Sequence, residues 1–291
     1  MAGSDEFYHI CTNGLSRNLM FRCREDFISG MNSIPVCSAS TGIKIYAFCL
    51  MDNHVHFIAR GTEAGCIDFI RLYKRLRSSW IGSRYNERLP LKDADISLKH
   101  IDSAEYLLTA IAYVLRNPVA AGLPVVPGGY RWCSASLYFH AKPFSLPGSR
   151  KVSEMNVSER RLLLKSRVPF PDTYIIESDG MIFPGCYTEY EAVEKMFASP
   201  KRMLYYLSKN DDISVALESG IVAKARYRDS EIANSLDWLC REKFHCRKFS
   251  ALPIERQYLM AKELRRRYGC PASQISRVTG LDPDLLREML G

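Results

Sequence analysis

No apolar run in this 291-residue chain approaches the roughly 20 residues needed to cross a bilayer, so no membrane partner is expected. Its first residues, Met-Ala-Gly-Ser-Asp-Glu, are acidic and lack the basic start and apolar stretch of an export signal. None of the ten cysteines falls in a C-x-x-C pair. Reduced thiols and a cytoplasmic location are therefore expected. Cys240, His245 and Cys246 lie close together but lack a second ligand pair, so zinc is not expected there. Repeats and low-complexity tracts are also missing, which sets aside solenoids and long disordered linkers. Acidic residues are the minority charge: 32 Asp and Glu against 40 Lys and Arg give a net charge of +8. That excess suits a polyanionic partner, because Lys and Arg contacts to phosphates release condensed counterions.

What is present is ordinary globular composition, 47% hydrophobic and 25% charged, enough for one large domain or two small ones. Phe7 to Thr12 is an aromatic and β-branched run ended by Asn13-Gly14, a strand and turn. Arg24 to Asn32 has helical spacing at Phe27, Ile28 and Met31. Ile43 to Met51 and His54 to Arg60 are two strands joined by a tight Asp52-Asn53 turn. Cys66 to Tyr85 is a long amphipathic helix, Asp95 to Lys99 a short strand, and Ser103 to Asn117 a helix expected to stop before Pro118. That order predicts an α+β, ferredoxin-like domain over 1–140, with four antiparallel strands and helices on one face. Pro143, Pro147, Gly148 and Ser149 read as a linker opening a mixed 141–229 extension, in which Gly180-Met181 turns a hairpin. Residues 230–291 are helix-rich.

In an extended strand alternate side chains share a face, so His54 and His56 point the same way and Val55 points into the core. Two imidazoles on one rigid face can share a metal; equally, they can be separate histidines of a half-buried strand. The segment Ala47 to Ile58, AFCLMDNHVHFI, resembles the His-hydrophobe-His signature of the single-tyrosine HUH transposases, most closely their REP-associated branch. Tyr8-His9-Ile10 is similar to that family's first strand, Ala112 to Gly122 to its tyrosine helix, and Tyr130 to Ala135 to its closing segment. The resemblance spans roughly residues 7–140.

The resemblance implies that Tyr113 is a nucleophile and that Asn117, one helical turn later, joins His54 and His56 as a metal ligand. An amide oxygen suits a hard cation such as Mg²⁺ or Mn²⁺. Attack by the phenol would leave a 5′-phosphotyrosine and a free 3′-OH, keeping the bond energy for strand transfer. The implied partner is single-stranded or hairpin DNA, with the protein a monomer or a homodimer. On spacing alone, Tyr113 also fits a core aromatic, Asn117 a helix cap, and Tyr106 a rival nucleophile. A DNA-binding regulator that seldom cuts is the alternative function. A different metal hydrolase would want carboxylates beside the pair, where only Asp52 is near.

Two sets of cations are candidate DNA contacts. Arg71, Lys74, Arg75 and Arg77 form the polar side of the Cys66–Tyr85 helix, either tracking a DNA backbone or simply solvated. Ile254 to Tyr268, Ala272 to Thr279 and Pro283 to Leu290 read as helices around a Gly280 turn, resembling the DnaA-type helix-turn-helix modules appended to some transposases. Arg265, Arg266 and Arg277 would meet phosphates there and Arg287 would lie on the reading helix. Asp282, Asp284 and Glu288 on that last helix oppose this, and a structural bundle is the alternative.

Overall fold

The computed structural model describes residues 4–12, 20–86, 96–121, 123, 126–140, 144–166, 168–208, 229–242, 244–268, 270 and 272–290. The chain divides into two compact units, one drawn from Met1–Val119 and Pro124–Ala223, the other from Ala120–Leu123 and Lys224–Gly291. The boundary expected near residue 140 is not one between units. Val152, Met155, Phe170, Ile176 and Ile182 join the same core as the sheet. Buried Asn32 explains much of this: its amide donates to the Gly180 carbonyl at 2.9 Å and accepts from the Ile182 N–H at 2.8 Å. Gly180, at φ +88°, turns the hairpin that Asn32 clasps.

The first unit is built on strands β1 (Glu6–Thr12), β2 (Lys44–Met51), β3 (His54–Gly61) and β4 (Ile96–Ile101). Their spatial order is β2-β3-β1-β4, with every neighbouring pair antiparallel. With helices α1 (Arg24–Thr41) and α2 (Glu63–Tyr85) between strands, this is the ferredoxin-like α+β arrangement. Tyr8, Ile10, Val55, Phe57 and Ala59 alternate onto one face and pack with Cys66, Phe69, Ile70 and Tyr73 of α2. Helix α1 completes that layer through Met31 and Ile34. The Asn13-Gly14 turn lies outside the described residues.

Helix α1 runs nine residues beyond Asn32, through Pro35, to a left-handed cap at Gly42 whose N–H bonds the Ser38 carbonyl. Its apolar positions Ile34, Val36 and Cys37 stay buried, and that burial outweighs the hydrogen bond the proline removes. Helix α3 (Ala104–Ala120) likewise passes Pro118 instead of stopping before it. The proline falls in the last turn, where it costs the helix one hydrogen bond, and Asn117 beside it donates its side-chain amide to the Tyr113 carbonyl at 3.1 Å. The edge of β2 is covered by the segment after α3: the Leu50 N–H bonds the Trp132 carbonyl, and the Tyr130 and Tyr138 hydroxyls bond the carbonyls of Leu50 and Tyr46. Helices α4 (Val157–Leu164), α5 (Tyr190–Phe197) and α6 (Pro200–Ser208), with the short pair β5 (Arg150–Lys151) and β6 (Ile175–Ile176), finish the unit.

The second unit holds helices α7 (Asp229–Glu242), α8 (Ile254–Tyr268), α9 (Ala272–Thr279) and α10 (Pro283–Leu290). Ile232, Leu239, Met260, Leu264, Ile275 and Leu286 form its own core. Gly280 takes φ +76° between α9 and α10, and the Asp282 carboxylate accepts from the N–H groups of Asp284 and Leu285 to cap α10. Among the described residues no helix is long and apolar enough to cross a membrane.

Candidate active site

The histidine pair opens β3, one of the two central strands. In the register, His56 stands opposite Cys49 of β2 and Cys11 of β1. These residues occupy the face opposite Val55 and Phe57, away from α1 and α2. His54 and His56 share it, with ring centroids 4.9 Å apart and planes at 89°. Helix α3 meets this second face. Its Tyr113 ring lies 5.6 Å from His56, edge to face, and 5.7 Å from a third imidazole, His9 of β1. The α1–α2 layer and α3 thus lie on opposite sides of the sheet, and the histidines sit under α3.

The hydrogen bonds around the imidazoles define which nitrogens point where. His54 Nδ1 lies 2.7 Å from Asn53 Oδ1. An amide oxygen only accepts, so Nδ1 carries the proton and a neutral His54 has its lone pair on Nε2. His56 Nδ1 lies 3.2 Å from His9 Nε2, which leaves Nε2 as the outward nitrogen of His56. The Asn117 side chain comes close enough to the His56 ring to favour its charged form, while His56 Nε2 has no hydrogen-bond partner among the described residues. The Asn117 Nδ2 is turned to the Tyr113 carbonyl, which leaves Oδ1 as the atom of this amide that could serve a cation. Sequence reasoning identified Asn117 only through a family resemblance; here it touches both Tyr113 and His56.

Burial decides the charge of this cluster. His9 is 1% exposed and His56 fully buried. Burial pushes His9 down to about 4 and holds His56 well below the usual imidazole range, where the neighbouring His54 and His9 add to the effect. Both are neutral near pH 7, the form that offers a lone pair to a metal. Burial also pushes the Cys11 thiol up to about 12 and Cys49 well above its ordinary value, so neither is a thiolate beside the histidines. Among the described residues no three His, Cys, Asp or Glu side chains gather as a metal cage. A cation at this face would take its third donor from the Asn117 amide, and two imidazoles with one amide oxygen fit a hard divalent ion.

No family model matches the chain, and no curated protein matches it. A solved REP-associated tyrosine transposase bound to a REP hairpin is similar to it, at 14% identity and a TM-score of 0.38, over 46% of this chain and 79% of that one.

The basic residues of α2 separate into two groups. Lys74 and Arg77 are buried, not on a solvated face. They follow Ile70 and Tyr73 at helical spacing and fall in the stripe that also holds Ile81, so the helix turns them inward. The Arg77 guanidinium lies 5.0 Å over the Phe21 ring and donates to Ser29 Oγ at 2.8 Å. Arg71 and Arg75 are exposed, Arg71 within 4.0 Å of Asp68, but α2 lies across the sheet from the histidines. In the second unit, Arg277 grips Asp229 with two bonds of 2.7 and 2.9 Å, and Arg265 donates to the Cys270 carbonyl at 3.5 Å. The side chains of Arg266 and Arg287 lie outside the described residues.

His9 is the residue that sequence reasoning used only as part of a strand. The signal for its placement is its parity. It lies two positions from Cys11, which stands opposite His56, so a β1–β3 pairing puts both imidazoles on one face.

Proposed function

We propose that this protein cleaves and rejoins single-stranded DNA, with Tyr113 as nucleophile and Mg²⁺ or Mn²⁺ held by His54, His56 and Asn117. The reading is carried by one observation: a phenol from α3 lies edge to face on the second histidine of an H-x-H strand, 5.6 Å between ring centroids. An imidazole that binds a cation is neutral, and so is an amide, so a bound cation would keep its full positive charge. When bound, that cation supplies the charge that polarises a scissile phosphate and stabilises the developing oxyanion.

The chain's own residues do the rest. Tyr113 is 4% exposed and held by α3, so its oxygen approaches from a fixed direction. The phenol oxygen bonds phosphorus, the P–O3′ bond breaks, and the departing O3′ takes up, through solvent, one proton for the one the phenol gives up. DNA is then joined to Tyr113 through a 5′-phosphate, and the departing strand ends in a 3′-OH. Attack by a 3′-OH on that phosphotyrosine reverses the step and transfers the strand without ATP. A recessed nucleophile favours a flexible single strand or a hairpin end over a regular duplex. Helices α8 to α10 act as a helix-turn-helix that binds DNA.

The test mixes full-length protein, Mn²⁺ and single-stranded hairpin DNA, and looks for a denaturation-resistant protein–DNA adduct. An adduct in the wild type that disappears in Tyr113→Phe supports the proposal. An adduct that persists in Tyr113→Phe moves the nucleophile elsewhere, with Tyr106 the next variant. No adduct across a broad hairpin set, with tight binding retained, indicates a regulator.

A further inference from the structure

We propose that His9 is a positioning residue: it accepts the Nδ1 proton of His56 and so keeps Nε2 of His56 bare for a divalent cation. The inference rests on the metal-assisted reading above. Three observations carry it. His9 Nε2 and His56 Nδ1 are 3.2 Å apart in a fully enclosed setting. The two rings lie nearly parallel, at 24°. The other nitrogen of His9, Nδ1, is buried without a hydrogen-bond partner and carries that ring's own proton when Nε2 accepts, so the bond to His56 is what compensates the imidazole for leaving water.

The chemistry follows from counting protons. A neutral imidazole has one N–H and one lone pair. If His56 carries its proton on Nε2, no cation can bind there. If the proton sits on Nδ1, that N–H needs a buried acceptor, and His9 Nε2 is the atom in reach. Metal-bound histidines commonly donate their second N–H to an orienting partner, and loss of that partner typically lowers metal affinity 10–100-fold. His54 has the equivalent partner in Asn53, supplied by the adjacent turn residue. His56 sits mid-strand, where no turn side chain is beside it, and the acceptor comes from the neighbouring strand instead. A residue serving only to fill space would be apolar here, as Ile10 and Phe57 are on the opposite face.

The experiment titrates full-length protein with Mn²⁺ and reads the free ion by electron paramagnetic resonance. His9→Gln keeps an acceptor near the position of Nε2; His9→Phe removes it and keeps a ring. Wild type and His9→Gln should bind Mn²⁺ within about threefold of each other, and His9→Phe about 10–100-fold more weakly. Equal binding by wild type and His9→Phe overturns the role of His9 while leaving the metal site standing. Wild-type protein that binds no Mn²⁺ overturns the metal reading itself, and the His9 role with it. Should His9→Phe fail to fold, ¹⁵N NMR of the wild type with Mg²⁺ decides. A His56 Nδ1–H coupled through its hydrogen bond to His9 Nε2 supports the proposal, and a proton on His9 Nε2 overturns it.

Discussion

The Tyr113 ring stands at right angles to the His56 imidazole, with the Tyr113 peptide carbonyl bound by Asn117 one turn along the same helix. The ring therefore has two separable jobs, packing and chemistry. Tyr113→Phe keeps the ring and should change folding stability by no more than about 1 kcal/mol, the net worth of an ordinary hydrogen bond. Tyr113→Ala empties a buried aromatic site and should cost about 3–5 kcal/mol. Urea unfolding separates the two. A large loss in Tyr113→Phe would mean that the hydroxyl is structural.

Asn117 and Asn53 make a second prediction, about metal affinity. Asn117→Ala removes an expected ligand and should weaken Mn²⁺ binding more than Asn53→Ala, which removes only the acceptor that orients His54. The latter should fall about 10–100-fold. Asn117→Asp adds a charged oxygen donor and should bind Mn²⁺ more tightly than wild type. Calorimetric titration of the three variants checks the order. Asn53→Ala weaker than Asn117→Ala would remove Asn117 from the ligand set.

Much of this was legible in the sequence for physical reasons. The strands announce themselves by period 2, and the H-x-H spacing puts both imidazoles on one face whatever the rest of the chain does. The tyrosine helix could be drawn, but its docking could not: nothing local in Ala112–Asn117 says which side of the sheet α3 covers. Both helix ends placed at prolines or before them ran longer, because a proline forfeits one hydrogen bond while tertiary burial spans the whole helix. By residue type Lys74 and Arg77 belong on the solvated face, but at i+4 and i+7 from Ile70 they share its buried stripe. His9 was overlooked because its neighbour across the sheet lies 47 positions away. Pro147 and Gly148 mark a turn of the chain without marking the end of a core.

Asp26 and Arg77 supply a prediction away from the site. Asp26 is fully buried and accepts from Trp80 Nε1 at 2.7 Å, Tyr85 Oη at 2.8 Å and the Arg22 N–H at 2.9 Å. Burial alone would push its carboxyl up; these hydrogen bonds, with the Arg77 charge, outweigh that and leave it below its ordinary value. The folded state thus prefers the ionised form. Its contribution is complete above the pKa of an unfolded aspartate, about 4, and is lost as pH falls below that. Asp26→Asn should lose about 3 kcal/mol at pH 7, because it removes the buried negative charge that offsets the Arg77 guanidinium and is bonded by Trp80 and Tyr85, and should flatten the acid limb of the stability–pH curve. Arg77→Ala should destabilise on the same scale while leaving the salt dependence of DNA binding unchanged. A change of slope in Arg77→Ala would mean that the side chain reaches phosphate.

Arg277 tests whether the helical unit meets DNA as proposed. Its two bonds to Asp229 leave both side chains about half exposed, at 45% each. An exposed pair of that kind is worth at most about 1 kcal/mol even with two-point geometry, so a double-mutant cycle on Arg277 and Asp229 should return a small coupling. The same geometry commits the guanidinium to a carboxylate. Each phosphate contact adds roughly 0.9 to the slope of log affinity against log salt, so Arg277→Ala should leave that slope unaltered for a duplex or hairpin ligand. Asp229→Ala releases the guanidinium and is the informative partner. A slope that rises by about one in Asp229→Ala means the carboxylate restrains a cation facing the DNA. A slope that falls by about one in Arg277→Ala means the ion pair opens on binding and the arginine is a phosphate contact after all.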